Sequence, residues 1–457
     1  FFERVPHAIT IVFCIILLVT GMTYILPAGT YERINLDGRS TVVPDSYKVI
    51  DSTPIGILQM FKAIPLGFKS ASEIIFIVLA GGIMFGFMEK SKAIENAIGT
   101  LIKKMGLKRK YLIVVIMTFA YGLLGVSVGL ENNIALIPVA AVLSLALGGD
   151  LILAAGISVG AMTIGFGLSP INPYTIGTGH KIAELPMFSG AFLRTILCSI
   201  GLVVMALYNV RYFKKIILND QESLAIGLNT KNLTLSKPIK DYSLSITNWS
   251  IIGIFILGLI LIIYGVFNLD WHINELSAVF LIIAFLTGLL SKMGGNSMSK
   301  IVLESVAVAA PGAFMVGFAT TIKVLMEMGN IGDTISYQLS IILEGLPLYL
   351  SAICMSISQS FINFFIPSGS GQALATLPVM IPLGESLGLN RQITILAFQV
   401  GDGLTNLINP TLGGLIAMLS MSRVPIDRWI RFIFPVLIVL IIIAFLALIV
   451  AVAIDYN

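Results

Sequence analysis

Apolar positions along this chain fall in long runs, not in alternation. Runs at 8–27, 111–128, 150–168, 191–210, 250–268, 274–291, 346–366, 391–408 and 430–454 approach the roughly 20 residues that a helix needs to cross a hydrocarbon core. Segments 72–89 and 310–328 are also apolar, though bordered by charge. Residues 131–149 and 367–389 are too polar and too interrupted for ordinary spans, and predict re-entrant hairpins of two short helices each. Two further segments break at an Asn-Pro pair: Ser169-Pro170-Ile171-Asn172-Pro173-Tyr174-Thr175 and Asn406-Leu407-Ile408-Asn409-Pro410-Thr411-Leu412-Gly413. A spanning helix that stops there leaves backbone groups that lipid cannot satisfy. Such breaks persist where they face protein, water or a ligand, and paired breaks point to a transporter's binding site.

The same landmarks recur in the same order. Met88-Glu89 returns as Met326-Glu327, Leu136-Ile137-Pro138 as Thr376-Leu377-Pro378, Asn172-Pro173 as Asn409-Pro410 and Pro186 as Pro425, at offsets of 238, 240, 237 and 239. A duplicated membrane module is the reading. The first repeat is 1–210, with hairpin 131–149 and broken helix 150–177. A polar linker, 211–247, carries Arg211, Lys214, Lys215, Lys231, Lys237 and Lys240. The second repeat is 248–457, with hairpin 367–389 and broken helix 391–414. Residues 90–110 hold seven Lys/Arg and the matching 328–346 none, so the positive-inside rule predicts inverted halves. Three spans separate 90–110 from the basic linker, which forbids one common face if all three cross fully.

Composition sharpens this picture. Of 457 residues 57% are hydrophobic and 11% charged, with mean hydropathy +0.97, against about 25% charged in soluble domains; the solvent is lipid. The net charge of +4 carries little information beside local charge placement. Cys14, Cys198 and Cys354 all sit in apolar runs without metal spacing and read as packing residues. The opening Phe1 predicts a natural start further upstream, and 8–27, lacking a cleavage site, a retained span. No P-loop is present, so ATP does not drive the chain directly. Asp150 and Asp402 lack the Gly-x-Gly-Asp motif of intramembrane aspartyl proteases, since Leu147 and Gln399 occupy the glycine position. No enzyme is expected.

Candidate chemistry gathers at four places. Gly129-Leu130-Glu131-Asn132-Asn133 puts an ionisable group at the first hairpin, where Glu131 could accept a proton, hold Na⁺ or bind an ammonium. Pro367-Ser368-Gly369-Ser370-Gly371-Gln372 offers backbone amides and small hydroxyls, and a helix starting there would face a carboxylate. Asp402, Thr405, Asn406 and Asn409, at i, i+3, i+4 and i+7, share one helical face leading into the second break, a hard-oxygen set for Na⁺. Gly156 and Gly160 suit close helix packing. His180 and Lys181 read as a solvated loop end.

On these residues the chain resembles the YfcC-like branch of the anaerobic C4-dicarboxylate carrier (DcuC-type) family, in the ion transporter superfamily. The similarity is carried by Ile25-Leu26-Pro27-Ala28-Gly29-Thr30-Tyr31-Glu32-Arg33, Asn172-Pro173-Tyr174-Thr175-Ile176-Gly177, Phe364-Phe365-Ile366-Pro367-Ser368-Gly369-Ser370-Gly371-Gln372 and Phe398-Gln399-Val400-Gly401-Asp402-Gly403. Such proteins often carry two adjacent acids at the first hairpin, where this chain has Glu131 followed by Asn132.

The resemblance implies an all-α polytopic membrane protein of two inverted repeats. It would have about 10–11 transmembrane helices plus two re-entrant hairpins, and scaffold and transport domains moving by an elevator mechanism. It also implies a homodimer through the scaffold. Each hairpin tip would meet a helix break. Substrate-binding candidates are then Glu131, Asn132, Asn133, Asn172, Pro173, Thr175, Ser368, Gly369, Ser370, Gly371, Gln372, Asn409, Pro410 and Thr411. Na⁺ candidates are Glu131, Asn133, Ser370, Asp402, Thr405 and Asn406.

The reading is a secondary active transporter in the bacterial inner membrane, coupled to Na⁺ or H⁺, with no other cofactor. Its solute is a small carboxylate-bearing molecule, with an amino acid favoured because neither motif supplies an Arg clamp. A C4-dicarboxylate carrier or an arginine/ornithine-type exchanger is the alternative, and an ion channel the rival class. Nucleic acid is not expected as a partner.

Overall fold

The structure is a computed structural model describing residues 8–36, 39–43, 46–128, 130–269, 271–343 and 346–456. It is mainly helical. The first half holds α1 (Ala8–Ile25), α2 (Ile57–Ser70), α3 (Ser72–Lys90), α4 (Ala93–Met105), α5 (Lys110–Val128), α6 (Ile137–Ala146), α7 (Leu151–Ala155), α8 (Ala161–Gly167), α9 (Thr178–Ile182) and α10 (Ala191–Leu218). The second holds α11 (Ile246–Asn268), α12 (Ile273–Leu290), α13 (Gly295–Met328), α14 (Gly332–Leu343), α15 (Leu348–Asn363), α16 (Gly369–Ser386), α17 (Arg391–Thr405), α18 (Gly413–Met421) and α19 (Ile426–Ala453). The order recurs: α1 is matched by α11, α5 by α15, the α7–α8 pair by α17, and α10 by α19. Both closing helices have 28 residues, about 42 Å at the helical rise.

Four helices among the described residues are long and apolar enough to cross a membrane by themselves: α3, α10, α12 and α19. A fifth, α13, qualifies if its two parts, bent by 45° beyond Pro311, count as one span. The remaining expected spans are shorter apolar helices or broken ones. The chain is thus a multi-pass membrane protein, but length and composition alone do not make 10–11 crossings.

Two ends of the helix bundle are defined by their contacts. At one, Lys103 Nζ donates to the Tyr242 carbonyl (3.0 Å), Asn96 to Asn248 (3.1 Å) and Tyr212 Oη to Asp150 Oδ2 (2.7 Å). Segments 90–110 and 219–245 therefore share an end, the arrangement that three full crossings between them would forbid. The reason is that not every intervening helix crosses: the chain leaves this end along α5 and is back at it by Asp150, which caps α7. At the other end Arg391 Nη1 donates to the Ala183 carbonyl (2.8 Å) and Asn390 to Asp455 (3.0 Å). The linker is shorter than expected, because α10 continues to Leu218.

The hairpins also differ from expectation. Residues 367–389 hold one 18-residue helix, α16, capped by Ser368, whose side chain accepts from Gly371 N. Pro378 and Pro382 lie inside it without ending it. The helical pair is α15–α16, with its turn at 364–368, so the apolar run 346–366 forms one arm. In the first half a 3₁₀ segment (Glu131–Leu136) leads into α6.

A small β-ribbon between α1 and α2 has no forecast in the sequence. Strands β1 (Gly29–Thr30), β2 (Arg33–Leu36), β3 (Arg39–Val42) and β4 (Lys48–Val49) pair antiparallel, β1 with β4 and β2 with β3. The ribbon is fixed to the α13–α14 junction. Gly29 N donates to the Asn330 carbonyl (2.9 Å), Tyr31 N to Asp333 Oδ2 (2.9 Å), and the Tyr47 and Tyr337 rings stack at 4.1 Å.

Candidate functional site

Both breaks solve the same backbone problem in the same way. α8 ends at Gly167 and Asn172 comes next, its Oδ1 accepting from Tyr174 N (2.8 Å) and its amide donating to the Phe166 carbonyl (3.3 Å). α17 ends at Thr405, and Asn409 Oδ1 accepts from Thr411 N (3.0 Å) while its amide donates to the Asn363 carbonyl (2.8 Å). Each Asn makes an Asx-type turn that replaces lost ladder bonds, and Pro at the next position needs no donor partner. Trp429 Nε1 satisfies one more freed carbonyl, Leu407 (2.7 Å).

The breaks are brought together by close backbone approach. A Cβ on Gly167 would lie 2.7 Å from the backbone of Gly403, and one on Gly403 2.3 Å from Gly167 Cα. The turn of the α15–α16 hairpin then wedges between them. A Cβ on Gly369 would lie 2.5 Å from Thr175 Cγ2 and 3.5 Å from Asp402 Oδ2. Only glycine lets the turn sit there.

Asn363, at the end of α15, is the hub of the second break. Its amide nitrogen meets the Asp402 carbonyl (2.8 Å), Thr405 Oγ1 (2.7 Å) and Asn406 Oδ1 (2.8 Å). A side-chain amide has two hydrogens for these three oxygens. Asn363 thus gathers the Asp402 backbone carbonyl and the Thr405 and Asn406 side chains. Asn409 leaves the predicted helical face, because the helix ends at Thr405, yet it returns to Asn363 through its own amide. Asp402 is fully buried, and neither carboxylate oxygen has a hydrogen-bond partner among the described residues. Thr175 Oγ1 is likewise buried without a partner.

A cavity of about 240 Å³ lies at this junction. Its wall takes Leu130, Phe166 and Tyr174 from the first half, Pro367, Ser368, Gly369, Ser370, Asn406 and Leu412 from the second, and Ile74 and Ile273 from α3 and α12. Of the predicted residues, Ser368, Gly369, Ser370 and Asn406 line it. Gln372 turns away, donating to the Gln359 carbonyl and Oε1 (2.8 Å each), and Thr411 is held by the Phe364 carbonyl (2.8 Å). Asn133 is buried in the 3₁₀ segment that precedes α6, its amide on the Leu124 carbonyl (3.4 Å). Glu131, Asn132 and Pro173 have side chains outside the described residues.

Three polar residues have a larger part than their sequence positions signal. Arg194 in α10 is fully buried, donating to Gln399 Oε1 (3.0 Å), Gln392 Oε1 (3.0 Å) and the Ser189 carbonyl (2.9 Å). Gln399 in turn donates to the Ser169 carbonyl (2.7 Å), tying α17 to the first break. His180, expected at a solvated loop end, is fully buried, with Nδ1 accepting from Phe188 N (2.9 Å). The π-helical turns at Gly156–Gly160 and Pro173–Gly177 likewise have no sequence signal.

The chain is similar to known proteins over nearly its whole length. The family described as C4-dicarboxylate anaerobic carrier (DcuC) matches residues 5–453. Escherichia coli K12 YfcC, which is named for basic amino acid antiport, is 27% identical over 93% of this chain and 92% of its own length. An uncharacterized Haemophilus influenzae protein is 25% identical over 98% of this chain and 97% of its own length. Among solved structures, the Alcanivorax borkumensis YdaH transporter aligns over 99% of both chains at 17% identity, with a TM-score of 0.45.

Proposed function

We propose, from the premise that this chain belongs to the C4-dicarboxylate anaerobic carrier family, a family of transporters, that it is a cation-coupled secondary carrier of an amino acid. The observation that carries the reading is the single cavity walled by the hairpin turn 367–370 and the flanks of both breaks. A solute there meets the first-turn amides of α16, which favour a carboxylate. Directly behind Gly369 lies Asp402. An ionised carboxylate buried without a partner costs several kcal/mol, so Asp402 calls for a proton or a cation. The Asp402 carbonyl, Thr405 Oγ1 and Asn406 Oδ1 supply hard oxygens for Na⁺.

Binding of cation and solute on opposite sides of one glycine turn links the two occupancies. A turn held by both ligands closes against the breaks, and a turn held by one does not. The two basic-rich segments at one end, with hairpins departing from opposite ends, support an inverted pair of repeats. The elevator motion, the homodimer through the scaffold and the bacterial inner-membrane location belong to the same proposal.

The YfcC likeness favours a basic amino acid, and the family's description favours a C4-dicarboxylate. Thermal stabilisation separates them. Purified protein is heated with L-arginine, L-ornithine, succinate or fumarate, in Na⁺ and in K⁺ at fixed pH. A ligand that binds only the folded state raises apparent stability by mass action. Stabilisation by an amino acid that needs Na⁺ supports the reading, succinate alone moves it to dicarboxylates, and equal shifts in K⁺ remove the Na⁺ assignment.

A further inference from the structure

The turn of the α15–α16 hairpin has a cavity on each side. Behind Ser368–Ser370 lies the inner site, between the breaks. Against Phe365, Ile366, Gly371, Leu374 and Ala375 lies a larger one of about 500 Å³, closed on its far side by the β-ribbon and the α13–α14 junction. We propose that this larger cavity is a second binding chamber for zwitterionic amino acids, from which the solute passes the turn into the inner site. The solute class rests on the amino acid reading above; the chamber itself rests on residues that reading does not use.

The polar wall carries two cations and two anions: Arg33 with Asp333 (2.7 Å) and Lys323 with Glu327 (3.7 Å). The Lys323–Glu327 pair does little for the fold, because exposed ion pairs contribute little stability, whereas Asp333, with 11% of its side chain exposed, also anchors the ribbon through Tyr31 N. Arg33 is held in place rather than consumed. Its Nη2 donates to Asp333 Oδ1, and its Nη1 to Thr30 Oγ1 (3.4 Å) and the Tyr31 carbonyl (3.3 Å). A guanidinium has five donors, so some remain for an incoming carboxylate. Glu327, with 64% of its side chain exposed, is placed for an ammonium.

The balance of charge selects the solute. A zwitterion adds separated charges to a wall that already balances, and each finds an opposite. A dianion would bring two negative charges to a wall whose cations are already matched by its anions. The wall's guanidinium, already paired with Asp333, can anchor one carboxylate and is not the two-carboxylate clamp that a dicarboxylate calls for. Its source is the ribbon, more than 300 residues upstream of the hairpin it faces.

The test is thiol protection. Leu374→Cys is made in a background with Cys14, Cys198 and Cys354 replaced by Ser, and its labelling rate with N-ethylmaleimide is measured in the full-length protein. Saturating L-serine or L-leucine, zwitterions without net charge, slows labelling about ten-fold by occupancy, succinate does not, and Arg33→Gln abolishes the protection. Arg33→Lys, which keeps charge but loses the fork, retains part of it. Protection persists in Asp402→Asn and without Na⁺. If thermal stabilisation fails there while protection stays, the inner-site reading falls and the chamber stands. Equal protection by succinate, no protection by either amino acid, or full protection in Arg33→Gln overturns the chamber.

Discussion

The two helix breaks share one backbone device and differ in what stands beside it. At both, an Asn side chain accepts from the amide two residues on and donates to a carbonyl behind it. Beside the first stands Thr175, a hydroxyl; beside the second stands Asp402, a buried carboxylate with no partner among the described residues. The shared feature keeps the fold intact where the helices stop, and the unshared one carries the carboxylate. The two breaks therefore share a geometry and differ in the chemistry that single residues set beside it.

The largest effect that sharpens this contrast is expected at Asp402. Asp402→Asn is nearly isosteric, so it leaves the packing and removes the charge. Solute counterflow in proteoliposomes should fall by roughly two orders of magnitude, as for the loss of a directly bound charge worth about 3 kcal/mol, with cation-dependent stabilisation gone. Thr175→Val, its neighbour across the hairpin turn, should cost ten-fold less by the same measure. Equal losses would erase the asymmetry.

Next come the shared caps. Asn172→Ala and Asn409→Ala each orphan a buried carbonyl and an amide, at about 1–3 kcal/mol for each group left unsatisfied. The two variants should lower the unfolding temperature alike. A large shift for one and none for the other would mean that only one break depends on its Asn.

Gly369 tests how closely the hairpin turn must fit between the breaks. Gly369→Ala puts a methyl 2.5 Å from Thr175 Cγ2 and should weaken solute binding by about ten-fold, a cost near 1.4 kcal/mol. Thr175→Ser removes that methyl, so the double variant should recover most of the loss. Calorimetric titration with the stabilising solute measures both. A double variant no better than the single one would place the strain elsewhere.

How much of this the sequence carried depends on how local each cause is. The Asn-Pro breaks were legible because their cause is local: proline ends the ladder and asparagine caps the turn beside it. Helices α1, α5, α11, α12 and α19 likewise lie within a few residues of their apolar runs. The β-ribbon was not legible, since its short strands are fixed by Asp333 and Asn330, distant in sequence. Arg194 and His180 look like helix-end residues in a linear reading and become buried only when α17 packs over them. Asn363 is a polar group in an apolar run whose three acceptors, Asp402, Thr405 and Asn406, lie at the end of α17, beyond the whole of α16. Residues whose partners lie more than a turn away are the ones a one-dimensional reading misplaces.

The smallest effect is expected far from both breaks, at the end where α4 meets the linker. Glu95 Oε1 accepts from Ser236 N (2.7 Å), Ser236 Oγ (2.5 Å) and Tyr242 Oη (2.5 Å). Burial opposes its charge, but these hydrogen bonds prevail and hold the carboxyl at about 2, below its ordinary 4.5. A depressed carboxylate stabilises above its unfolded value and loses that stabilisation as pH falls through the folded one. The linker should therefore loosen between about pH 4.5 and 2, seen as faster proteolysis at 219–245. Glu95→Gln should loosen it at neutral pH, remove the acid step, and leave solute binding unchanged. If Glu95→Gln weakened binding as much as Gly369→Ala, the linker would be part of the site, and the division between a supporting frame and two chemically unequal breaks would have to be redrawn.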